Sequence, residues 1–131
     1  MISTRGRYAL RVMIDVATHQ GDGYVPMKDV AARQGLSLKY LEQILPTLTK
    51  NKLLVGLKGK GGGYRLTRQP EEYTTADVLR LTEKGLEPVS CLAKDAPECE
   101  RKSKCQTIGF WEGLNNVMND YLESKTLRDL M

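Results

Sequence analysis

Aromatic residues are scarce in this 131-residue chain, at 6% with a single Trp and a single Phe. A core must therefore rest on Leu, Val, Ile, Met and Ala, which suits packed helices and argues against an all-β fold. No stretch approaches the ~20 uninterrupted apolar residues of a membrane span. The start, Met1-Ile2-Ser3-Thr4-Arg5, carries no apolar run behind its charge as a secretory signal would. A cytoplasmic protein without membrane association is expected. Absent too are a Ser/His/Asp or Cys/His constellation and a phosphate-binding Gly loop opening a helix, so an enzyme is not expected. The length allows one compact domain with an appendage and is too short for two full domains.

What is present is charge, unevenly placed. The formal net charge is +4, yet residues 1–70 hold 12 Lys/Arg against 4 Asp/Glu, while residues 71–131 hold 8 against 12. A basic half joined to an acidic half suggests that the first faces a polyanion and the second faces protein or solvent. The three cysteines, Cys91, Cys99 and Cys105, fall within one short stretch. Three thiols cannot all pair within one chain, and a reducing compartment disfavours structural disulfides.

From Thr4 to His19 apolar residues recur every four positions, at Tyr8/Ala9, Val12/Met13 and Val16/Ala17, with Arg5, Arg7, Arg11 and Asp15 off that stripe. This predicts a first helix. Gln20-Gly21-Asp22-Gly23 is a turn, Tyr24-Val25-Pro26 an extended entry, and Met27 to Gln34 a second helix with Val30 and Ala31 inward. Ser37 caps a third helix, Leu38 to Lys50, whose apolar face is Leu41, Ile44, Leu45 and Leu48. Pro46 predicts a kink, or a short break before Thr47. Leu53–Lys58 and Tyr64–Thr67 read as short strands joined by Gly59-Lys60-Gly61-Gly62-Gly63, a basic hairpin tip. Three helices and a hairpin make the winged form of the helix-turn-helix, a mainly α fold with a two-stranded β wing.

Beyond the wing, Thr74 or Thr75 caps a helix over Ala76–Lys84 that ends at Gly85. Residues 86–106 form a polar loop holding all three cysteines, and a loop of that length needs a reason to be ordered. Thr107 to Ser124 reads as a long helix with Trp111, Leu114, Met118 and Tyr121 in one stripe, widened by Phe110, Val117 and Leu122. That face is too apolar for a lone appendage and predicts packing against a second copy, giving a homodimer; the alternative is folding back on its own winged helix. The expected division is therefore 1–84 for DNA binding, 85–106 for sensing, and 107–131 for dimerisation.

In such a fold the third helix enters the major groove of double-stranded DNA. Its solvent face offers Ser37, Lys39, Tyr40, Glu42 and Gln43. A carboxylate near phosphates pays repulsion unless it accepts from a cytosine amino group, which makes Glu42 a candidate base reader; Gln43 can pair an adenine edge. Arg5 and Arg7 on the first helix, Lys28 on the second, and Lys58 and Lys60 on the wing are candidate backbone or minor-groove contacts.

Three stretches together resemble the Rrf-two family of bacterial winged-helix regulators (IscR-, NsrR- and CymR-type). They are Ser3-Thr4-Arg5-Gly6-Arg7-Tyr8-Ala9-Leu10, Leu36-Ser37-Leu38-Lys39-Tyr40-Leu41-Glu42-Gln43-Ile44-Leu45, and the wing Leu57 to Leu66. Thr126-Leu127-Arg128-Asp129-Leu130 also resembles the family's segment after its long dimer helix. The resemblance covers nearly the whole chain and implies a homodimeric transcription factor that binds imperfect palindromic operators. It places Ser37 and Glu42 where IscR-type members contact bases, and Lys58 on a wing position usually held by Arg.

The same resemblance sets Cys91, Cys99 and Cys105 where IscR- and NsrR-type members hold an iron-sulfur cluster, of the two-iron or four-iron type. Soft thiolates suit such a cluster, and metal bonds would order a loop that apolar burial cannot. Zinc fits less well, since the cysteine spacings are wide and His19 is the only histidine. Three departures mark this chain: the first gap between cysteines is longer than the usual five residues, and the other two leave the fourth ligand open. Ile108 stands where IscR-type members place a histidine, and Arg7 where NsrR-type members supply an acidic residue from the partner. Asp95, Glu98, Glu100, Ser103, His19 of the partner subunit or a small external ligand remain candidates. A thiol switch without metal, or control by a protein partner such as a cysteine-biosynthesis enzyme, is the alternative to a cluster.

Overall fold

The computed structural model describes residues 2–131. Helix α1 spans Thr4–His19, α2 Met27–Gln34 and α3 Leu38–Lys50, followed by strands β1 (Leu54–Leu57) and β2 (Gly63–Leu66). Then come α4 (Thr75–Thr82), α5 (Ile108–Ser124) and a short α6 (Leu127–Leu130), with single 3-10 turns at Pro70–Glu72, Ser90–Leu92 and Lys102–Lys104. This is a mainly helical winged helix-turn-helix.

The predicted apolar stripes are what meet at the centre. Ala9, Val12, Met13 and Val16 of α1 are buried against Val30 of α2 and against Leu41, Ile44, Leu45 and Leu48 of α3. Capping follows the residue chemistry: Ser3 Oγ accepts the Gly6 amide at α1, Ser37 Oγ the Tyr40 amide at α3, and Thr74 Oγ1 the Asp77 amide at α4. Gly35 closes α2 in the left-handed conformation, φ 65°, that glycine adopts without strain.

The antiparallel wing pairs Leu54 with Leu66 and Leu57 with Gly63. Toward its tip the wing is flanked by Val25, which exchanges backbone hydrogen bonds with Tyr64 at 2.8 and 2.9 Å. Gly63 makes that approach possible: at φ 145° an added Cβ would lie 2.3 Å from the Val25 carbonyl oxygen. Tyr73, fully buried, fixes the other end of the hairpin. Its hydroxyl donates to the Leu53 carbonyl and accepts from the Thr67 and Arg68 amides, each at 2.9 Å.

Four local expectations need correction. Helix α3 runs unbroken through Pro46, so there is no break before Thr47; Glu42, whose carbonyl would pair with an N–H at position 46, faces solvent, and water can take that bond. Helix α4 ends at Thr82 rather than Lys84, because Glu83 turns extended and its carboxylate accepts from the Ser3 amide (2.9 Å) and hydroxyl (2.8 Å). Asp15, placed off the apolar stripe, is 2% exposed. Arg33 Nη2 reaches its Oδ1 at 2.6 Å and Gln34 Nε2 its Oδ2 at 2.8 Å, riveting α1 to α2. Strand β1 is shorter than predicted by a residue at each end, and β2 keeps its predicted length but begins and ends one residue earlier.

Helix α5 leans on α4. Thr75 Oγ1 donates to the Leu122 carbonyl at 2.6 Å, and Arg80 pairs with Glu123. The chain then returns to the winged core: the Leu127 amide bonds the Tyr73 carbonyl, and the Leu127 side chain is fully buried in the core cluster beneath α1. No residue of α5 itself is buried; Trp111, Met118 and Leu122 are half-covered, while Phe110, Val117 and Tyr121 are 63–67% exposed on another face.

Candidate nucleic-acid interface and cysteine loop

Burial of Leu41, Ile44, Leu45 and Leu48 fixes the rotation of α3, so Lys39, Glu42 and Gln43 share its exposed face. Ser37 sits at the N-terminus of that face. Its oxygen accepts the Tyr40 amide at 3.1 Å and leaves the hydroxyl proton free to donate. Tyr40 is less available than its place in the sequence suggests. It is half-buried and packs edge-on against Tyr8, with ring centroids 5.4 Å apart. The Arg7 and Arg11 guanidinium groups lie 6.0 and 5.2 Å from the centre of the same Tyr8 ring.

Arg5 is held across to α3, with Nη2 donating to Thr47 Oγ1 at 3.1 Å and to the Gln43 carbonyl at 3.4 Å. The basic start of α1 thus lies beside the middle of α3. Arg7 and Lys28 are exposed, and Lys58 and Lys60 project from the exposed wing tip. Arg11 belongs to the scaffold, donating to the Gln34 side chain and carbonyl.

Asp15 shows how the scaffold handles its one buried charge. Burial alone would raise its carboxyl pKa. Hydrogen bonds from Arg33 and Gln34, with the Arg33 and His19 charges, outweigh this and hold it below the ordinary carboxylate value. His19 Nδ1 lies 2.9 Å from the Asp15 carbonyl oxygen and 3.5 Å from its carboxylate.

The cysteine loop has a different character. Between residues 86 and 106 no side chain is buried, and all three cysteines are free thiols. They nonetheless open on one cavity of about 440 Å³, walled by Leu92, Ala96, Pro97 and Ile108 and lined as well by Glu98, Lys102 and Glu112. Among the described residues no three potential ligands converge closely enough to hold a metal ion. The donor set is three soft thiols in an apolar-walled recess, which fits an iron-sulfur cluster. One of them, Cys105, lies against the start of α5. The Thr107 hydroxyl and amide, bonded toward its sulfur, lower the thiol pKa from its ordinary value, aided by the Ile108 amide at the start of α5 and the Arg101 charge.

Of the residues predicted from sequence, Lys39, Glu42 and Gln43 come together on one face, and the three cysteines on one cavity. Tyr40 and Arg5 are engaged within the fold. Glu112 escaped notice, although its spacing of four from Ile108 was a signal: it places both on one side of α5.

A winged helix with an exposed third helix and a basic wing is the architecture of a DNA-binding transcriptional regulator. The Rrf2 family, described as "Iron-dependent Transcriptional regulator", matches residues 2–131. The chain is 35% identical over 130 residues to the HTH-type transcriptional regulator IscR of Aliivibrio salmonicida, covering 99% of this chain and 76% of that one. Among solved structures, CymR, the global cysteine regulator of B. subtilis, superposes with a TM-score of 0.81 at 33% identity, covering 99% of this chain and 95% of the other. T. potens IscR gives 0.78 at 35% identity, covering 99% and 85%. The chain belongs to the Rrf2 family of transcriptional regulators.

Proposed function

We propose that the chain is a homodimeric regulator that binds an imperfect palindrome in double-stranded DNA, and that an iron-sulfur cluster held by Cys91, Cys99 and Cys105 modulates this binding. The observation that carries the reading is the single cavity onto which all three cysteines open. It lies between the end of α4 and the start of α5, in a segment with no core of its own. Residues 1–84 then form the DNA-binding unit, 85–106 the sensor and 107–131 the dimerisation element, acting in the cytoplasm. No helix among the described residues is long and apolar enough to cross a membrane.

Two features support the dimer and its target. The exposed apolar face of α5, with Phe110, Val117 and Tyr121, suits a second copy related by two-fold symmetry. Two recognition helices at a fixed separation would read two half-sites, with Lys39, Glu42 and Gln43 toward base edges and Lys58 and Lys60 toward phosphates. A bound cluster supplies iron–sulfur bonds that order the loop. The chain's own residues transmit that order, because Ile108 and Glu112 of α5 wall the same cavity as the cysteines, and the separation of the recognition helices depends on α5.

The test is operator binding by cluster-loaded, cluster-free and Cys91/Cys99/Cys105→Ser protein at one salt concentration, with iron and acid-labile sulfide measured on anaerobically purified protein. A difference of tenfold or more between loaded and cluster-free protein is expected, with the Ser variant matching the cluster-free form; equal affinities overturn cluster control. Glu42→Ala should relax discrimination at one base pair of the half-site, by about 1–3 kcal/mol, while leaving affinity for non-specific DNA nearly unchanged.

The lowered pKa of Cys105 favours a second reading, a thiol switch. Control by a protein partner such as a cysteine-biosynthesis enzyme is the other metal-free form of this reading. Colourless, iron-free protein whose operator binding changes with peroxide, or with a co-purifying enzyme, would select this reading.

A further inference from the structure

Three cysteines leave one coordination position of a cluster without a protein donor, and Ile108 offers only hydrocarbon there. Ile108 is the first residue of α5 and lines the cavity onto which the cysteines open; Glu112, four residues on, lines it as well. Side chains four apart share a helical face, and each leans toward the helix N-terminus. Glu112 thus shares with Ile108 the side of α5 that walls the cavity of the cysteines.

The other candidates are placed less well. Glu98 also lines the cavity, but it sits beside Cys99 in an irregular segment without buried side chains rather than on a helix. Glu100 and Ser103 do not line it, and Asp95 lines neighbouring surfaces instead. His19 is occupied with Asp15 of its own chain.

Resting on the cluster reading above, we propose that Glu112 is the fourth protein ligand, an oxygen donor on the dimer helix one turn beyond Ile108. Three ligands then come from the cysteine loop and one from α5, so gain or loss of the cluster acts directly on the first turns of that helix. A hard carboxylate on a site otherwise made of thiolates is also the bond most readily exchanged, which makes the cluster labile.

The test uses full-length protein reconstituted anaerobically with iron and sulfide, as wild type, Glu112→Gln, Glu98→Gln and the double variant Ile108→His/Glu112→Gln. Each is followed by iron and sulfide content, cluster lifetime against a ferrous chelator, and pulsed EPR of the reduced form. Glu112 is exposed, so melts of the cluster-free proteins should superimpose. Glu112→Gln is expected to lose its cluster about tenfold faster or more, and Glu98→Gln to match wild type. The double variant should regain the lifetime and show nitrogen coupling to the cluster. A Glu112→Gln protein with wild-type lifetime and spectrum overturns the assignment while leaving the cluster reading intact. Faster loss that the added Ile108→His substitution fails to slow would make Glu112 a positioning residue and also overturns ligation. Wild type that takes up neither iron nor sulfide overturns the cluster reading and this assignment with it.

Discussion

From Thr4 to Thr82 every helix sends at least one side chain into the core, whereas from residue 86 to 106 not one side chain is buried. The first region is held by apolar contacts, end caps and an ion pair on the buried Asp15, all of which the chain supplies itself. The second has 3-10 turns, two prolines, many charges and three thiols, and nothing in it offsets the backbone entropy lost on ordering, about 1–2 kcal/mol per residue. A regulator benefits from this division, because the reading head stays folded whatever the sensor does, and the sensor responds to what binds it.

The sharpest way to probe that contrast is to remove a contact from the first region that originates far along the chain. Leu127→Ala deletes a fully buried side chain and should cost about 3 kcal/mol, lowering the melting temperature of the whole winged unit. A change confined to α6 would show that the return segment is only draped on the surface. Asp15→Asn comes next, at about 2 kcal/mol, since it leaves Arg33 and Gln34 facing a neutral group. Because the folded-state pKa of Asp15 lies below its unfolded value, its contribution is present above the unfolded value, near 3.8, and is lost as pH falls through the folded one. The gap between wild type and Asp15→Asn in thermal melts should therefore be full at pH 6 and shrink on acidification toward pH 3.

Smaller effects test the surface. Lys58→Ala should weaken binding to all DNA sequences alike by less than about 1 kcal/mol and reduce the slope of log affinity against log salt by about one. A loss confined to operator DNA would instead make Lys58 a base reader. The least effect is expected in the loop: Cys91/Cys99/Cys105→Ser should move the stability of cluster-free protein by no more than about 0.5 kcal/mol. A large destabilisation there would contradict the picture of a segment without its own packing.

The sequence made the winged unit readable because its helices are amphipathic with period near 3.6 and its turns carry Gly, Ser and Thr where caps belong. What escaped it was long-range. Asp15 looked like a surface residue since nothing in the local pattern announces that Arg33 and Gln34 will arrive beside it. Tyr73 lies between elements, and its four-way hydroxyl depends on a hairpin that closes twenty residues earlier. Glu83 gave up the last turn of α4 for the sake of Ser3, eighty positions away. On the interface side, spacing sufficed to put Lys39, Glu42 and Gln43 on one face, but the packing of Tyr40 on Tyr8 required the crossing of α1 and α3. In the loop, the cysteines were legible as chemistry, whereas Glu112 became visible only once the start of α5 was seen to form a wall of their cavity.

The burial of Leu127 also bears on the order in which this molecule comes into being. Its backbone bonds Tyr73 and its side chain completes the core beneath α1, so α1, once out of the ribosome, waits for Leu127 before its surroundings are finished. Every chain that attains its full stability has already synthesised the cysteine segment and α5. A truncated product, released early, would carry the reading helix without a finished core, and the cell's proteases would meet it as an incomplete fold rather than as a regulator deaf to its signal.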